Sequence, residues 1–264
     1  MNTRDQVYES IGVCYAAARR SDPRIHQVIV DPLGGARTVI NVGAGGGNYE
    51  PTDRILTAVK PSRKMITQDH RAGTAIRGMA EALPFRDQTF DVALATFTLH
   101  HWSKVAAGLN EMRRVAKRQV ILPFGPSESL KFWLVEYFPE CLELPSETGT
   151  PGVDDVRVHL NVHTVAPVPI PTDCTDGFAG AYWRRFEAYL EPAVRASISS
   201  LALLSPEDGD RGRGGCGKTW CLVPGMPATD ICESCLRLTW GIGWWWLGAK
   251  IPLTPFMKGG IMDR

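Results

Sequence analysis

No run of about 18 apolar residues occurs in the chain, so the sequence offers no membrane-spanning helix. Nor do the first 30 residues contain the apolar core of a secretory signal. Charge of one sign is missing as well. There are 29 basic and 28 acidic residues, a net +1, which leaves no electrostatic footprint for nucleic acid. A soluble, cytoplasmic protein without a membrane or nucleic-acid partner is the expectation. Evenly spread cysteines are also lacking, for four of the seven lie beyond residue 208, and neither a disulfide framework nor a metal site organises the body of the chain.

Glycine, by contrast, is concentrated where it matters. In Thr38–Glu50, TVINVGAGGGNYE, the β-branched run Val39, Ile40 and Val42 leads into Gly43, Gly45, Gly46 and Gly47. This reads as a buried strand ending in a turn too tight for side chains, where backbone N–H groups can approach a ligand. In an open α/β sheet such a ligand lies beyond the carboxyl end of the first strand. The dinucleotide fingerprint G-x-G-x-x-G fails here, because its sixth position is Asn48; the spacing present is G-x-G-x-G, at Gly43, Gly45 and Gly47.

At 264 residues the chain suits one domain with additions. Asp22-Pro23 opens a helix carrying Ile25, Val28 and Ile29, with Asp22 as N-cap. After the glycine loop come strands at Ile55–Lys60, Thr74–Met79, Asp91–Phe97 and Gln119–Pro123, with helices from Lys64 and over Val105–Ala116. The interval before Ile55 is too short for a full crossover helix, so that connection is abbreviated. The alternation argues for a parallel sheet covered on both faces. Residues 127–144 read as an aromatic helix stopped near Pro139. Val162–Ile170 reads as an edge strand because of Pro167 and Pro169, and residues 177–204 as two helices divided at Pro192.

Taken in order, VINVGAGGGNYEP, AVKPS, AEALPFRDQTFDVALA, LHHW and LNEMRRVAKRQVIL resemble the class I S-adenosylmethionine-dependent methyltransferases, in particular the type 11, ubiquinone and menaquinone biosynthesis-like group, over roughly residues 7–205. The resemblance implies an α/β fold, a Rossmann-like doubly wound and mostly parallel sheet, with S-adenosylmethionine as cofactor and a small-molecule methyl acceptor as partner. It sets Gly43, Ala44 and Gly45 against the amino-acid portion of the donor and counts Gly47 among the cofactor-binding residues. Ala80 and Glu81 would border the adenine, and Thr96 to His100, with Leu99 among them, would lie under the methyl group. His100 and His101 are candidate general bases, since imidazole titrates near the operating pH; the alternative is one ring filling the pocket wall and the other solvated. Tyr182, Trp183, Arg184 and Arg185 could line the acceptor site or form one packed and one wet face, and the packed reading is favoured.

The sequence departs from that family at two donor positions. Members usually end the second strand with an acidic residue that accepts both ribose hydroxyls, whereas this chain has Lys60. An ammonium has three donors and no acceptor, so the exchange should cost about 1–3 kcal/mol of donor affinity. Asn41 stands where many relatives carry Asp or Glu. The copy is therefore expected to be impaired, and a non-catalytic protein that keeps the sheet is the alternative.

Residues 209–264 form a second kind of sequence, a tail rich in Gly, Trp and Cys after a methyltransferase domain over 1–208. GRGGCGKT, Gly212–Thr219, matches the phosphate-loop pattern but has no strand before it. Cys216, Cys221, Cys232 and Cys235 imitate a zinc ribbon loosely, with four residues inside the first pair, and no metal is assigned. Rewriting the tail in the shifted codon frame permits SGAWDARHGYLRVLPEADLGYRLVV, with Ala forced from Met226-Pro227, Gly from Trp240-Gly241 and two Val from Trp244-Trp245-Trp246. Hence the expectation of a frame slip near 208–215, a coil-like tail, and a sheet lacking its native last strand, with edges left unpaired.

Overall fold

The structure is a computed structural model that describes residues 19–61, 63–67, 74–124, 129–130, 132–144, 147–221 and 243–250; for 64, 65, 217–221 and 243–250 it describes backbone alone. Helix α1 (Pro23–Val30) starts as its sequence requires. The Asp22 carboxylate accepts the Arg24 N–H at 3.0 Å, and Pro23 occupies the first turn. Ile25 and Ile29 are buried under the sheet. The chain then leaves through Gly34 at φ +52°, and the Arg118 guanidinium donates to the carbonyls of Pro32 and Leu33.

Seven strands form one sheet: β1 (Thr38–Val42), β2 (Ile55–Lys60), β3 (Ala75–Arg77), β4 (Phe90–Thr96), β5 (Ala116–Leu122), β6 (Val162–Pro169) and β7 (Gly243–Lys250), in the order β3-β2-β1-β4-β5-β7-β6. The pairs from β3 to β5 are all parallel, with Asn41 opposite Ala58 on one side and Leu94 on the other. Alternate residues of each strand enter opposite cores: Ile40, Val42, Ala93 and Ile121 on one face, Val39, Leu94, Val120 and Leu122 on the other. That double burial accounts for the unbroken apolar strands. A short helix α2 (Arg63–Thr67) follows β2, and α3 (Val105–Val115) lays Leu109, Met112 and Val115 on the sheet.

Helices α4 (Leu134–Tyr137) and α5 (Val153–His159) precede β6, which lies at the sheet edge as its prolines demand. The helix expected within 127–144 and stopped near Pro139 is α4, which is short and ends at Tyr137; a 3-10 turn over Pro139–Glu143 follows, begun by the proline. The two helices expected over 177–204 become two 3-10 turns followed by α6 (Pro192–Ser197) and α7 (Ser199–Ala202). These pieces build a third core around Trp133, Phe138, Tyr189, Leu201 and Cys216.

The tail differs from expectation in two places. Helix α8 runs Pro206–Cys221 across the anticipated junction at 208/209. It can lie close because Gly212 has no side chain, and a Cβ there would stand 2.4 Å from the Phe138 ring. The slot for a last strand is not vacant: β7 pairs antiparallel with β5 and with β6. Strand pairing uses backbone groups that every residue except proline carries, and Gly243–Lys250 contains no proline, so the exposed edges of β5 and β6 accept it. Residues 222–242 and 251–264, including Cys232 and Cys235, lie outside the described residues.

Candidate active site

The strand order reverses between β1 and β4, so the connections leaving their carboxyl ends part in opposite directions and open a crevice there. The glycine loop forms one lip. Gly43, Gly45 and Gly47 take φ of +74°, +50° and +79°, the left-handed region in which a side chain is strained. Gly43 is also required by its neighbour: a Cβ on it would fall 2.0 Å from the Thr98 hydroxyl oxygen. Over Gly45 the space is open, with nothing within 4 Å of a Cβ.

The loop is held from the end of β2. The Val59 carbonyl accepts from the N–H groups of Gly43 (2.9 Å) and Ala44 (3.4 Å). The Gly47 N–H returns to the Ala44 carbonyl at 2.8 Å. Lys60, completely buried, donates its ammonium to the Gly45 carbonyl at 2.7 Å. Beneath the loop, buried Asn41 donates to the buried Glu50 carboxylate at 3.1 Å, while its carbonyl oxygen, also buried, has no protein partner. An orphan acceptor beside a backbone-lined turn fits the ammonium and carboxylate of an amino-acid group.

The second lip leaves β4. Thr96 is half-buried at the strand end, and Phe97 follows at φ +52°, a strained backbone of the sort that accumulates at functional sites. Its ring meets Tyr49, Phe124 and Phe178. A 3-10 turn, Leu99–His101, then buries Leu99 and leaves His100 and His101 half-exposed with ring centroids 3.7 Å apart. His100 also meets Phe124 edge-on at 4.8 Å. The Trp102 indole donates to the Thr98 hydroxyl (3.3 Å), and Gly108 leaves room for the Trp102 ring.

Ala80, beyond β3, is buried in the core cluster that also holds Val42 and Val59. Glu81 has a task that its place in the sequence does not show. One of its oxygens accepts from the Ser103 N–H (2.7 Å), the Ser103 hydroxyl (2.9 Å) and the Lys104 N–H (3.1 Å). It caps the start of α3 and fixes the histidine turn to the loop after β3. Burial pushes the Glu81 pKa up, but the hydrogen bonds from Lys104 and Ser103 outweigh it and hold the carboxyl below its usual value.

Phe97 and Thr98 fall in the stretch expected under the methyl group, but their contacts with Tyr49 and Gly43 were not foreseen, and Glu50 was not a candidate from sequence. Nor was Asp176, a buried carboxylate that gathers Tyr49 (2.8 Å), Arg19 (2.7 Å) and the Gly177 N–H (2.7 Å) behind the crevice. Only the Thr98–Trp102 spacing of four residues across a turn offered a signal. Tyr182–Arg185 proves packed: the Trp183 indole donates to the Ile170 carbonyl, and the Arg185 guanidinium to those of Cys174 and Ala181. Gly212–Thr219 lies within α8, so its amides belong to a helix and cannot cradle phosphate. Among the described residues no group of three or more His, Cys, Asp or Glu is placed to hold a metal ion, and no helix is long and apolar enough to cross a membrane.

A methyltransferase-domain family profile matches residues 40–124, from the middle of β1 to just past β5, the stretch that builds both lips. The fold is similar to that of a solved structure, a candidate methyltransferase from an antibiotic biosynthesis pathway of Anabaena variabilis, at 27% identity and a TM-score of 0.75, covering 89% of this chain and 99% of that one. Residues 40–124 carry a methyltransferase domain, and the fold around them is the one seen in such a protein. Among curated methyltransferases it is similar to the demethylmenaquinone methyltransferase of Corynebacterium kroppenstedtii, 32% identical over 103 residues, or 39% of this chain and 42% of that protein. It is also similar to a ubiquinone/menaquinone biosynthesis C-methyltransferase of a Ruegeria species, 30% identical over 119 residues, or 41% and 48%. The chain spans less than half the length of the curated relatives it matches.

Proposed function

We propose that the chain binds S-adenosylmethionine in the β1/β4 crevice and methylates a small molecule, with donor affinity reduced by Lys60. The observation that carries this reading is the pair of lips: a left-handed glycine loop, open above Gly45, facing a strained β4 exit that bears two half-exposed imidazoles. When bound, the sulfonium supplies an activated methyl, so the protein's share of the rate is largely positioning. Gly43, Ala44, Gly45 and Gly47, with Asn41, hold the amino-acid end. Ala80 forms the wall on the adenine side, with Glu81 fixing that wall to α3. Thr96 and Leu99 floor the methyl end, and His100 or His101 accepts a proton from the acceptor where one must leave. The β2 end fits less well, because Lys60 offers a donor where ribose hydroxyls would seek an acceptor. That same residue favours, as a second reading, a protein of this fold that has ceased to bind the donor.

Titration calorimetry with S-adenosylhomocysteine separates the two. Saturable binding weaker than low micromolar, tightened about tenfold or more in Lys60→Glu, is the expected result. Low-micromolar binding by the unaltered chain overturns the impairment, and absence of binding in both proteins overturns the donor-site reading.

A further inference from the structure

Lys60 need not be only a defect. It is fully buried, a costly position for an ammonium unless a partner compensates. The partner is internal: at 2.7 Å its ammonium meets the carbonyl of Gly45, the loop residue whose surroundings are open and whose φ of +50° leaves it little steric support. Gly43 and Ala44 are already fastened to Val59 by their N–H groups. Val59 and Lys60 together therefore fasten three consecutive loop residues, the last of them through a side chain. Fixing the Gly45 carbonyl fixes the peptide plane it shares with Gly46, and so the direction of the next N–H along the lip. A charge-assisted hydrogen bond is short and strong enough to choose one orientation of a glycine peptide that would otherwise have several.

We infer that Lys60 is a positioning residue, an internal tether that holds the glycine loop in its binding shape before any ligand arrives. The inference rests on the donor-site reading above but makes the opposite statement about what removing the amine does. If Lys60 merely obstructs, taking away its charge leaves the loop alone and binding improves or stays the same. If it tethers, the loop loosens and binding worsens, because ordering must then be supplied by the ligand. Lys60→Glu cannot distinguish these, since it exchanges the tether for an acceptor facing the ligand; Lys60→Met removes the amine and adds nothing polar.

The test compares hydrogen exchange and S-adenosylhomocysteine binding for the full chain, Lys60→Met and Lys60→Arg. Tethering predicts that, without ligand, the segment 43–50 of Lys60→Met exchanges about tenfold or more faster while β4 and β5 are unchanged, and that Lys60→Arg restores protection. It also predicts binding about threefold or more weaker in Lys60→Met. Unchanged exchange at 43–50 overturns the tether, and so does faster exchange spread over the whole sheet, which would mark Lys60 as a general core residue. Equal or tighter binding by Lys60→Met overturns it too. Should none of the proteins bind, the donor-site reading falls while the exchange result still decides the tether.

Discussion

At Gly43 two separate requirements exclude a side chain, and they can be told apart. The left-handed backbone makes any L-residue pay about 1–3 kcal/mol. The Thr98 hydroxyl, 2.0 Å from where a Cβ would stand, adds an overlap that the threonine must move to relieve. Gly43→Ala is therefore expected to lower urea-unfolding stability by more than the conformational cost alone. Adding Thr98→Ala should recover the overlap and leave about 1–3 kcal/mol unrecovered; full recovery would show that the backbone at Gly43 is not strained. The first requirement was legible in the sequence, because a β-branched run ending in glycines calls for a tight turn. The second was not, since Thr98 lies 55 residues away and meets Gly43 only because β1 and β4 are neighbours. Lys60 shows the same division. Its chemistry was plain from its type and place at a strand end, while its choice of the Gly45 carbonyl depended on a loop whose path only the fold defines.

Elements are joined to one another by carboxylates whose sequence context is unremarkable. Glu81 stands outside α3, 22 residues before Ser103, yet it satisfies N–H groups that the helix start would otherwise leave to water. Glu81→Ala should cost about 0.5–2 kcal/mol, the range of a lost helix cap, and should shift the His100 and His101 resonances because the turn they occupy loses its anchor. The pH dependence follows from the sign of the shift. The folded-state pKa of Glu81 is depressed, so its contribution is full above the unfolded value of about 4.3 and fades as pH falls through the folded one. The stability difference between the unaltered chain and Glu81→Ala should thus be largest near neutrality and shrink on acidification, read by denaturant unfolding along a pH series. A constant difference would mean that the charge of the carboxylate is not what caps the helix. Elements with one strong period were readable in advance: α1 from Asp22-Pro23, α3 from Leu109, Met112 and Val115, and the edge position of β6 from its prolines. The region 132–204 was less so, because its aromatic residues pack around Tyr189 through short turns whose breaks follow tertiary contacts rather than a repeat.

For the whole molecule the decisive feature is a sheet that would be incomplete without its final strand. β5 lies inside the sheet, and among the described residues only β7 joins it to β6. Coil was the natural expectation for a tail whose composition changes so abruptly, and composition does govern whether a segment can form a core of its own. It does not govern whether eight residues can complete ladders that two existing strands already present. Deleting residues 243–264 should therefore expose the facing edges of β5 and β6, lower the melting temperature and raise light scattering at micromolar concentration, since unpaired edges seek other chains. A chain carrying the shifted-frame sequence from residue 209 onward should reverse both effects and melt above the unaltered protein, because its strand then brings β-branched valines to a slot between two apolar cores. Deletion with no change in melting would place Gly243–Lys250 outside the cooperative unit. A shifted-frame chain that melts no higher would leave the present tail as good a partner for the sheet as the one the codons spell in the other frame.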